Sequence, residues 1–528
     1  MPFPIRRPLA AACAWPLLAL AAPAAFAAGP LSSTTPLWTT KHVEATIPTG
    51  FASEIVSFDT ASKTLWVAGV KGVAVLNPIS GALLQFIDTT TWGSINSVAI
   101  HGGIAAFAIA ATNRKDAGKV VLFDTATRQL AAGVNEISVG SLPDMLTFTP
   151  DGSKLLVANE GSPNCCGTGN NDYGPRIGTT TPRNYGYADA ATQAAKDPVG
   201  SVSIISMASR SVVATPTFAG VVPLASNRGL NVRTNTGMDF EPESIAVDPS
   251  GTKAWVTLQE ANALALLDLT TNSFSKIVGL GTKNFNTSGN EIDPLNDGAV
   301  SFARHAVKGL YMPDGIATYR AGSQTYTVTA NEGDFREDDA DRSAVGGTSP
   351  NPLRNLRISN TDSSGSDLFA AGARSFSIRD ANGDEVYDSG STLDREAEAR
   401  SLYDDNRSRD KGVEPEGVAL ITIGGRTYAF IGLERTTQAA IAVFDITDPL
   451  AVSFVDMLVD SSVMRPEGLT GFTMNGMHYL AVASEGTGGA GTFGTSVFAL
   501  APVPEPGTWA LMAAGLLGVG ALARRRRG

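Results

Sequence analysis

Pairs of carboxylates recur along the chain at a nearly constant spacing. Five segments begin with an acid and end with a Glu sixteen to eighteen residues later, as in "EGVALITIGGRTYAFIGLE". Carboxylate oxygens are the ligands that calcium and magnesium prefer, whereas zinc favours the nitrogen of His and the sulfur of Cys. The chain has four histidines and three cysteines, so its composition favours hard cations. The paired acids are Asp144 with Glu160, Glu243 with Glu260, Asp314 with Glu332, Glu416 with Glu434, and Glu467 with Glu485.

The segments between the paired acids are predicted to form β-hairpins. Each contains an alternating apolar strand, a turn that usually holds Gly, and a second strand. Two weaker copies, from Ser53 and from Ile95, precede the five and make seven. A third strand follows each hairpin and a fourth follows in six copies, which is the strand count of a propeller blade. The sequence therefore predicts an all-β fold, a seven-bladed β-propeller, with two packed sandwich domains as the alternative.

The two ends of the repeat region predict how the ring closes. The seventh copy ends at Leu500 without a fourth strand, while residues 37–47 form a strand that belongs to no copy. We expect this segment to complete the last blade. Long insertions at 161–199, 281–311, 333–373 and 391–413 join second to third strands or one blade to the next, so we expect them on the top face of the propeller.

Propeller geometry predicts that the paired acids meet at the mouth of one channel. The first strand of a blade lines the channel and the second returns beside it, so the start of one and the end of the other share a face. Such acids repel one another unless they are protonated, paired with Lys or Arg, or bound to metal. Two hypotheses follow: the ten acids and Asp334 bind a divalent cation such as calcium, or arginines such as Arg336, Arg435 and Arg465 neutralise them.

Two further motifs leave alternatives open. "DANGDEVYD" places Asp380, Asn382, Asp384 and Asp388 at the spacing of a calcium loop, but the same residues also suit a polar turn. Cys165 and Cys166 are adjacent, and an exported protein favours their oxidation to a disulfide, while a free or metal-binding thiol pair is the other interpretation.

The termini predict export. Residues 1–28 contain Arg6 and Arg7, an apolar run and small residues suited to cleavage, as in a signal peptide. Residues 29–502 are assigned to the propeller. Residues 503–528 combine Pro-Glu-Pro, fifteen mostly apolar residues and four arginines, an order that resembles the PEP-CTERM sorting signal. That apolar run spans only about 22 Å as a helix, short of the roughly 30 Å hydrocarbon layer. The resemblance implies recognition by an exosortase after transient anchoring in the inner membrane.

Charge argues against one class of partner. The formal net charge is −11, and removal of the six arginines in the two terminal signals makes the chain more acidic still. A surface of this sign repels phosphate backbones and attracts cations. Nucleic acid is therefore not an expected partner.

The segments "TANEGDFRE", "ARSFSIRDANGDEVYDSG", "SRDKGVEPEGVAL" and "MRPEGLTGF" resemble the choice-of-anchor I family over most of residues 40–500. The family is similar to mesenchyme-specific cell-surface glycoproteins, and some bacterial members carry an alkaline phosphatase label. This chain departs from the family pattern at Arg379, where Trp is expected, and at Arg409, where Asp is expected. The family motifs fall on Asn331, Glu332, Gly333, Asp334, Arg374, Asp380, Glu414, Glu416 and Gly417.

Two functions are compatible with these observations. The first is an exported, surface-targeted propeller that binds divalent cations in the cell surface or exopolysaccharide matrix, with an extracellular polysaccharide or a phosphoester as ligand. The alternative, which the family label suggests, is a metal-dependent phosphoesterase with Glu332 or Asp334 as general base.

Overall fold

The protein was examined as a computed structural model, which describes residues 33–42, 51–164, 172, 192, 195–233, 240–335, 341–487 and 491–500. The signal peptide, the C-terminal segment 503–528, Arg336, Cys165 and Cys166 lie outside these residues, as does most of the insertion at 161–199. Strands dominate the described residues, because Val, Ile and aromatic residues alternate with polar ones between short turns.

The first half of the described chain forms four sheets and the strand β1 (Trp38–Lys41), which joins the last sheet. The first sheet contains β2 (Ser53–Asp59), β3 (Thr64–Gly69), β4 (Gly72–Leu76) and β5 (Leu83–Asp88). The second contains β6 (Ser94–His101), β7 (Ile104–Ala110), β8 (Ala117–Asp124), β9 (Gln129–Leu130) and β10 (Glu136–Ser141). The third contains β11 (Pro143–Phe148), β12 (Lys154–Asn159), β13 (Ser201–Ser206) and β14 (Ser211–Ala214). The fourth contains β15 (Pro223–Ala225), β16 (Ile245–Val247), β17 (Lys253–Leu258), β18 (Ala263–Asp268) and β19 (Ser273–Gly279).

The second half forms three more large sheets and the ordered parts of the insertions. β20 (Thr282–Asn284) and β21 (Lys308–Leu310) precede the fifth sheet, which contains β22 (Ile316–Ala321), β23 (Gln324–Asn331), β27 (Ser375–Arg379) and β28 (Glu385–Asp388). The insertion inside it holds β24 (Arg342–Ala344), β25 (Arg357–Ser359) and β26 (Phe369–Ala370), and helix α1 (Thr392–Ala399) and a 3-10 turn (Asp405–Arg407) follow it. The sixth sheet contains β29 (Pro415–Ile423), β30 (Arg426–Leu433), β31 (Ala439–Asp445) and β32 (Ser453–Asp460). The seventh contains β33 (Pro466–Met474), β34 (Met477–Ser484) and β35 (Gly494–Leu500), joined by β1.

The seven large sheets succeed one another around a ring. The strand that opens each hairpin contacts its counterpart in the next sheet, in the order β2, β6, β11, β16, β22, β29 and β33, and β33 contacts β2 again. β1 pairs antiparallel with β35, Trp38 opposite Val497 and Lys41 opposite Gly494. The predicted all-β class is therefore confirmed, and so is the predicted pairing of the N-terminal segment with the last sheet for residues 38–41.

The core lies between neighbouring sheets. Each of the seven interfaces holds its own cluster of buried apolar side chains, such as that of Trp66 and Phe107 between the first and second sheets. Burying one such side chain contributes roughly 1.5–3 kcal/mol. Because every sheet is covered on both faces, strands such as β3 and β31 are buried along their whole length.

The predicted insertions at 281–311, 333–373 and 391–413 do join sheets or second to third strands. They form a small sheet of β20, β21 and β26 and a pair of β24 with β25. Among the residues that the structure covers, no helix is long and apolar enough to cross a membrane.

Candidate functional site

In four of the sheets, a local irregularity in the first strand of the hairpin positions the acid at its start. In β29 the pairing with β30 shifts register between Pro415 and Val418, and Glu416 lies inside that shift. The same shift surrounds Glu54 in β2, Asp144 in β11 and Glu467 in β33. A bulge of this kind bends the strand and redirects a side chain, so these acids leave the regular alternation of the sheet.

A proline precedes the first acid of each pair, and in four sheets the residue before that proline is held in an uncommon backbone conformation. Leu142, Met312, Glu414 and Arg465 have φ between 46° and 57°, although none is glycine. A left-handed residue before proline is doubly unfavourable, because proline pushes its predecessor towards extended geometry. Such strain persists only where the surroundings impose it, and it recurs here at the equivalent position of four repeats.

Glycines after the acids allow the first strands to approach closely. A Cβ on Gly315 would lie 2.2 Å from the carbonyl oxygen of Glu416, and one on Gly417 would lie 2.0 Å from that of Glu467. A Cβ on Gly468 would lie 2.2 Å from the carbonyl oxygen of Glu54. The strands carrying these acids and Asp314 are therefore close together on one side of the ring.

The seven first strands surround a cavity of about 770 Å³, which we call the channel. Seven of the predicted acids line it, namely Asp144, Glu160, Glu243, Asp314, Glu416, Glu467 and Glu485. Glu54 is an eighth lining acid that the sequence reasoning missed, and Arg114 lies among them. Glu54 is the second residue of the weak repeat "SEIVSF" and corresponds to the first acid of the other repeats. Aligning this residue with those acids would have identified it.

The acids at the ends of the second strands mostly have cationic partners. Arg114 lies 3.4 Å from Glu160, Lys411 lies 2.6 Å from Glu332, Arg435 lies 2.7 Å from Glu434, and Arg465 lies 3.7 Å from Glu485. The ion-pair hypothesis thus holds at Arg435 and Arg465, while Arg336 lies outside the described residues. We call Glu160, Glu260, Glu332, Glu434 and Glu485 the outer acids.

The acids on the first strands form a second set, the inner acids: Glu54, Asp144, Glu243, Asp314, Glu416 and Glu467. Within the described part of the chain, no Lys or Arg nitrogen lies within 4.0 Å of any of their carboxylates, although Arg114 influences Asp144 from farther away. The inner acids therefore line the channel without direct ion pairs.

Burial and mutual repulsion shift the inner acids towards their protonated forms. Burial, followed by the charge of Glu160, raises the pKa of Asp144 to about 7. Burial and the charge of Glu332 raise the pKa of Asp314 to about 8. Burial is also the first cause that raises the pKa of Glu54, Glu243, Glu416 and Glu467, and neighbouring carboxylates add to it. A bound cation would therefore reduce the repulsion among the inner acids and favour their ionised forms.

Lys411 neutralises a distinct group beside the channel. Its ammonium lies 2.6 Å from Glu332, 3.0 Å from Glu414 and 3.8 Å from Asp334. The other oxygen of Glu332 accepts a hydrogen bond of 2.8 Å from Gln259. Both oxygens of Glu332 are therefore occupied, whereas Asp334 is 44% exposed. The assignment of either residue as a general base stays a prediction.

Glu414, unlike Glu332, is held in its ionised form. Burial raises the pKa of its carboxyl, but Lys411, Arg407 and Arg435 together outweigh burial and hold that pKa below its usual value. Glu414 is fully buried and also accepts a 2.6 Å hydrogen bond from Nε of Arg407. The sequence did not reveal this role, because Arg407 and Lys411 reach Glu414 only through the folding of the loop before it, and Arg435 follows the next hairpin.

Two groups of three carboxylates have oxygens within 4.8 Å of one another among the described residues. One consists of Asp314, Glu332 and Glu416, and the other of Glu332, Glu414 and Glu434. Lys411 contacts two members of the second group, Glu332 and Glu414, but only one member of the first, the shared Glu332. In the first, Glu416 has a buried oxygen without a hydrogen-bond partner, so an oxygen-seeking divalent cation fits there best. The donors are all oxygens, which suits calcium or magnesium rather than zinc.

Asn331 and Asp380, two other residues of the family motifs, make contacts that stabilise the fold. Asn331 is buried and donates to Ser375 and Ser377, which ties β23 to β27. Asp380 accepts hydrogen bonds from the backbone of Asn382 and Asp384, as a polar turn does.

The two departures from the family pattern differ in their surroundings. Arg379 is fully buried, with its guanidinium 4.8 Å from the ring centroid of Tyr311. Arg409 is a loop residue whose carbonyl accepts a hydrogen bond of 2.8 Å from the backbone of Arg357.

Comparison with solved structures gives distant likenesses. The chain is similar to hydrazine synthase of Kuenenia stuttgartiensis, with 10% identity, a TM-score of 0.49, and coverage of 87% of this chain and 98% of that one. It is also similar to the WD40 domain of coronin from Toxoplasma gondii, with 9% identity, a TM-score of 0.44, and coverage of 89% and 86%. A search of functionally curated proteins finds no match.

Comparison with protein families is more informative. The choice-of-anchor I domain matches residues 54–449, and the PEP-CTERM protein-sorting motif matches residues 502–527. The first match covers three quarters of the chain and includes five of the six inner acids, all but Glu467. The second marks an exported, surface-sorted protein recognised by exosortase-type machinery. The chain therefore belongs to the choice-of-anchor I domain family.

Proposed function

We propose that this exported protein is a seven-bladed propeller whose channel binds divalent cations, calcium foremost, within the cell surface or the exopolysaccharide matrix. The observation that carries the proposal is the contrast between the two sets of acids. The outer acids mostly have Lys or Arg partners, whereas the inner acids share one channel without a direct ion pair. The segment 503–528 would anchor the chain in the inner membrane transiently before sorting.

Electrostatic repulsion explains why the inner acids need a cation. Two like charges 4 Å apart repel by about 4 kcal/mol at the effective dielectric constant of a protein surface. The pKa of Asp314, about 8, indicates that protons relieve part of this repulsion at neutral pH. A divalent cation can displace such protons, and calcium accepts the six to eight oxygen ligands that carboxylates and water supply.

The location of the site follows from the close approach of the first strands. Gly315, Gly417 and Gly468 bring together the strands that carry Asp314, Glu416, Glu467 and Glu54. Asp314 also accepts a hydrogen bond of 3.3 Å from Ser244, which orients its carboxyl group. We therefore expect the cation on this side of the channel.

Calorimetric titration of calcium into the chelator-treated protein tests the proposal. We expect saturable binding, and we expect Glu416→Gln to weaken it by about tenfold or more, because affinity for calcium follows the number of charged ligands. Glu398→Gln, on the exposed face of α1, is the matched control and should bind as the wild type does. Absence of binding, or equal affinity in Glu416→Gln, would overturn the proposal.

A further inference from the structure

A second cavity lies beside the fifth sheet and shares no lining residue with the channel. Its volume is about 450 Å³, within the usual range of small-molecule sites. The segment from Thr282 to Asn290 forms one wall, and β28 forms the other with Arg228 and Tyr311. All of its lining residues belong to the described chain.

The charges that line this cavity cancel. Nε of Arg228 donates to Glu385 over 2.9 Å. The ammonium of Lys283 lies 2.8 Å from Asp388 and also donates to the carbonyl oxygens of Ala373 and Gly390. Two cations face two carboxylates, so the lining favours neither a phosphate nor a divalent cation. The ligand that it suits is uncharged.

The rest of the lining combines small polar side chains with aromatic rings. Asn284, Thr287 and Ser288 are exposed at the mouth and offer amide and hydroxyl groups. Tyr387 is half-buried and supplies aromatic surface, and Tyr311, which is only 1% exposed, backs the wall. A ring that carries hydroxyl groups on its edge and C–H groups on its faces is complementary to both kinds of surface.

Glu385 adds an observation of a different kind. It is 8% exposed and lines the cavity, and one of its carboxylate oxygens has no hydrogen-bond donor among the described residues. Nη2 of Arg379 is 3.9 Å from it, too far for a hydrogen bond. This oxygen is buried as the side chain stands, and a turn of the Glu385 carboxylate towards the cavity would let a ligand hydroxyl supply the missing hydrogen bond.

We propose that this cavity binds a neutral saccharide unit. Arg379 lies behind the wall and stacks on Tyr311, which holds the aromatic surface in place before the ligand arrives. The proposal rests on the proposed function only in that the protein acts at the cell surface. It requires no cation in the channel, so the two can fail separately.

Saturation-transfer NMR on the exported protein, with excess chelator present, tests the proposal. The neutral probes are cellobiose, laminaribiose and maltose, and digalacturonic acid is the charged probe. We expect transfer to at least one neutral disaccharide and none to digalacturonic acid. We expect Ser288→Trp, which fills the mouth, to weaken binding by about tenfold or more, as loss of the main contacts would.

Asn286→Trp is the matched control, since Asn286 is exposed in the same loop but does not line the cavity, and it should bind normally. Thr287→Val, which keeps the side-chain shape, should weaken binding by about fivefold through loss of one hydrogen bond. The proposal fails if no neutral disaccharide shows transfer, if Ser288→Trp and Thr287→Val both bind as the wild type does, or if digalacturonic acid is preferred. Loss of calcium binding with sugar binding retained would instead count against the channel proposal alone.

Discussion

Lys411 separates the acids near the channel into two groups with different chemistry. It is 5% exposed and supplies the positive charge for Glu332 and Glu414. The neighbouring Asp314 and Glu416 receive no such partner from the described residues. One group is therefore neutralised by the chain itself, while the other depends on protons or on a cation from solution.

Replacing Lys411 tests this division at the level of one residue. Lys411→Met removes the ammonium but keeps most of the side-chain volume, and it leaves buried carboxylates without a counter-charge. We expect a loss of about 3–5 kcal/mol in the free energy of unfolding, measured by urea denaturation. Lys308→Met is the control, because Lys308 pairs with Asp367 at the surface and its loss should cost less than about 1 kcal/mol. Equal losses in the two variants would contradict the account.

Among the secondary-structure elements, the bulged first strand is the one that positions acids in the channel. The strand begins with a left-handed residue and a proline, turns its acid into the channel, and then resumes regular pairing, as β29 and β33 do. The glycine that follows the acid lets the neighbouring strand approach. In the sheets with this glycine the first strands approach closely, so strand geometry favours these acids as joint ligands of the proposed cation.

Gly417→Ala tests the importance of this approach. The added methyl group would lie 2.0 Å from the carbonyl oxygen of Glu467, so β29 and β33 must separate. We expect a lower melting temperature and weaker calcium binding. Gly432→Ala, in the adjacent strand β30, is the control, because the nearest atom to its Cβ would be 3.1 Å away and the neighbour need give only slightly. A variant with Gly417→Ala that melts and binds as the wild type does would show that close approach is unimportant.

At the scale of the whole molecule, the ring concentrates negative charge from different sheets in one channel. Carboxyls whose pKa is raised on folding bind more protons in the folded than in the unfolded chain. Their stabilising contribution is complete below the unfolded pKa of about 4 and is lost as the pH rises through the folded pKa. For Asp144 and Asp314 the folded values are about 7 and about 8.

In the presence of chelator, the melting temperature should therefore decrease as the pH rises from 6.5 to 8.5. This window avoids His42, whose pKa burial lowers to about 4 and whose protonation would act at acid pH. Excess calcium should raise the melting temperature more at pH 8.5 than at pH 6.5, since ionised inner acids bind it better. A melting temperature that rises with pH in chelator would mean that the inner acids do not control stability.

Much of the fold could be predicted because its repeats are local. Alternating strands and turns recur within each repeat, and the unpaired last repeat indicated that β1 pairs with β35. The site was harder to predict. Lys411 and Glu332 are 79 residues apart, and their contact depends on how two insertions pack. Glu54 was missed because its repeat lacks both the proline before the acid and the glycine after it.

The position of a bound cation would decide whether the channel is a cation site. Crystals grown with calcium, with anomalous scattering measured from the metal, would show where it binds. The account predicts a peak inside the channel, about 2.3–2.6 Å from carboxylate oxygens of the inner acids, with Asp314 and Glu416 among them. Anomalous peaks confined to other parts of the protein, with the channel free of metal at saturating calcium, would contradict it.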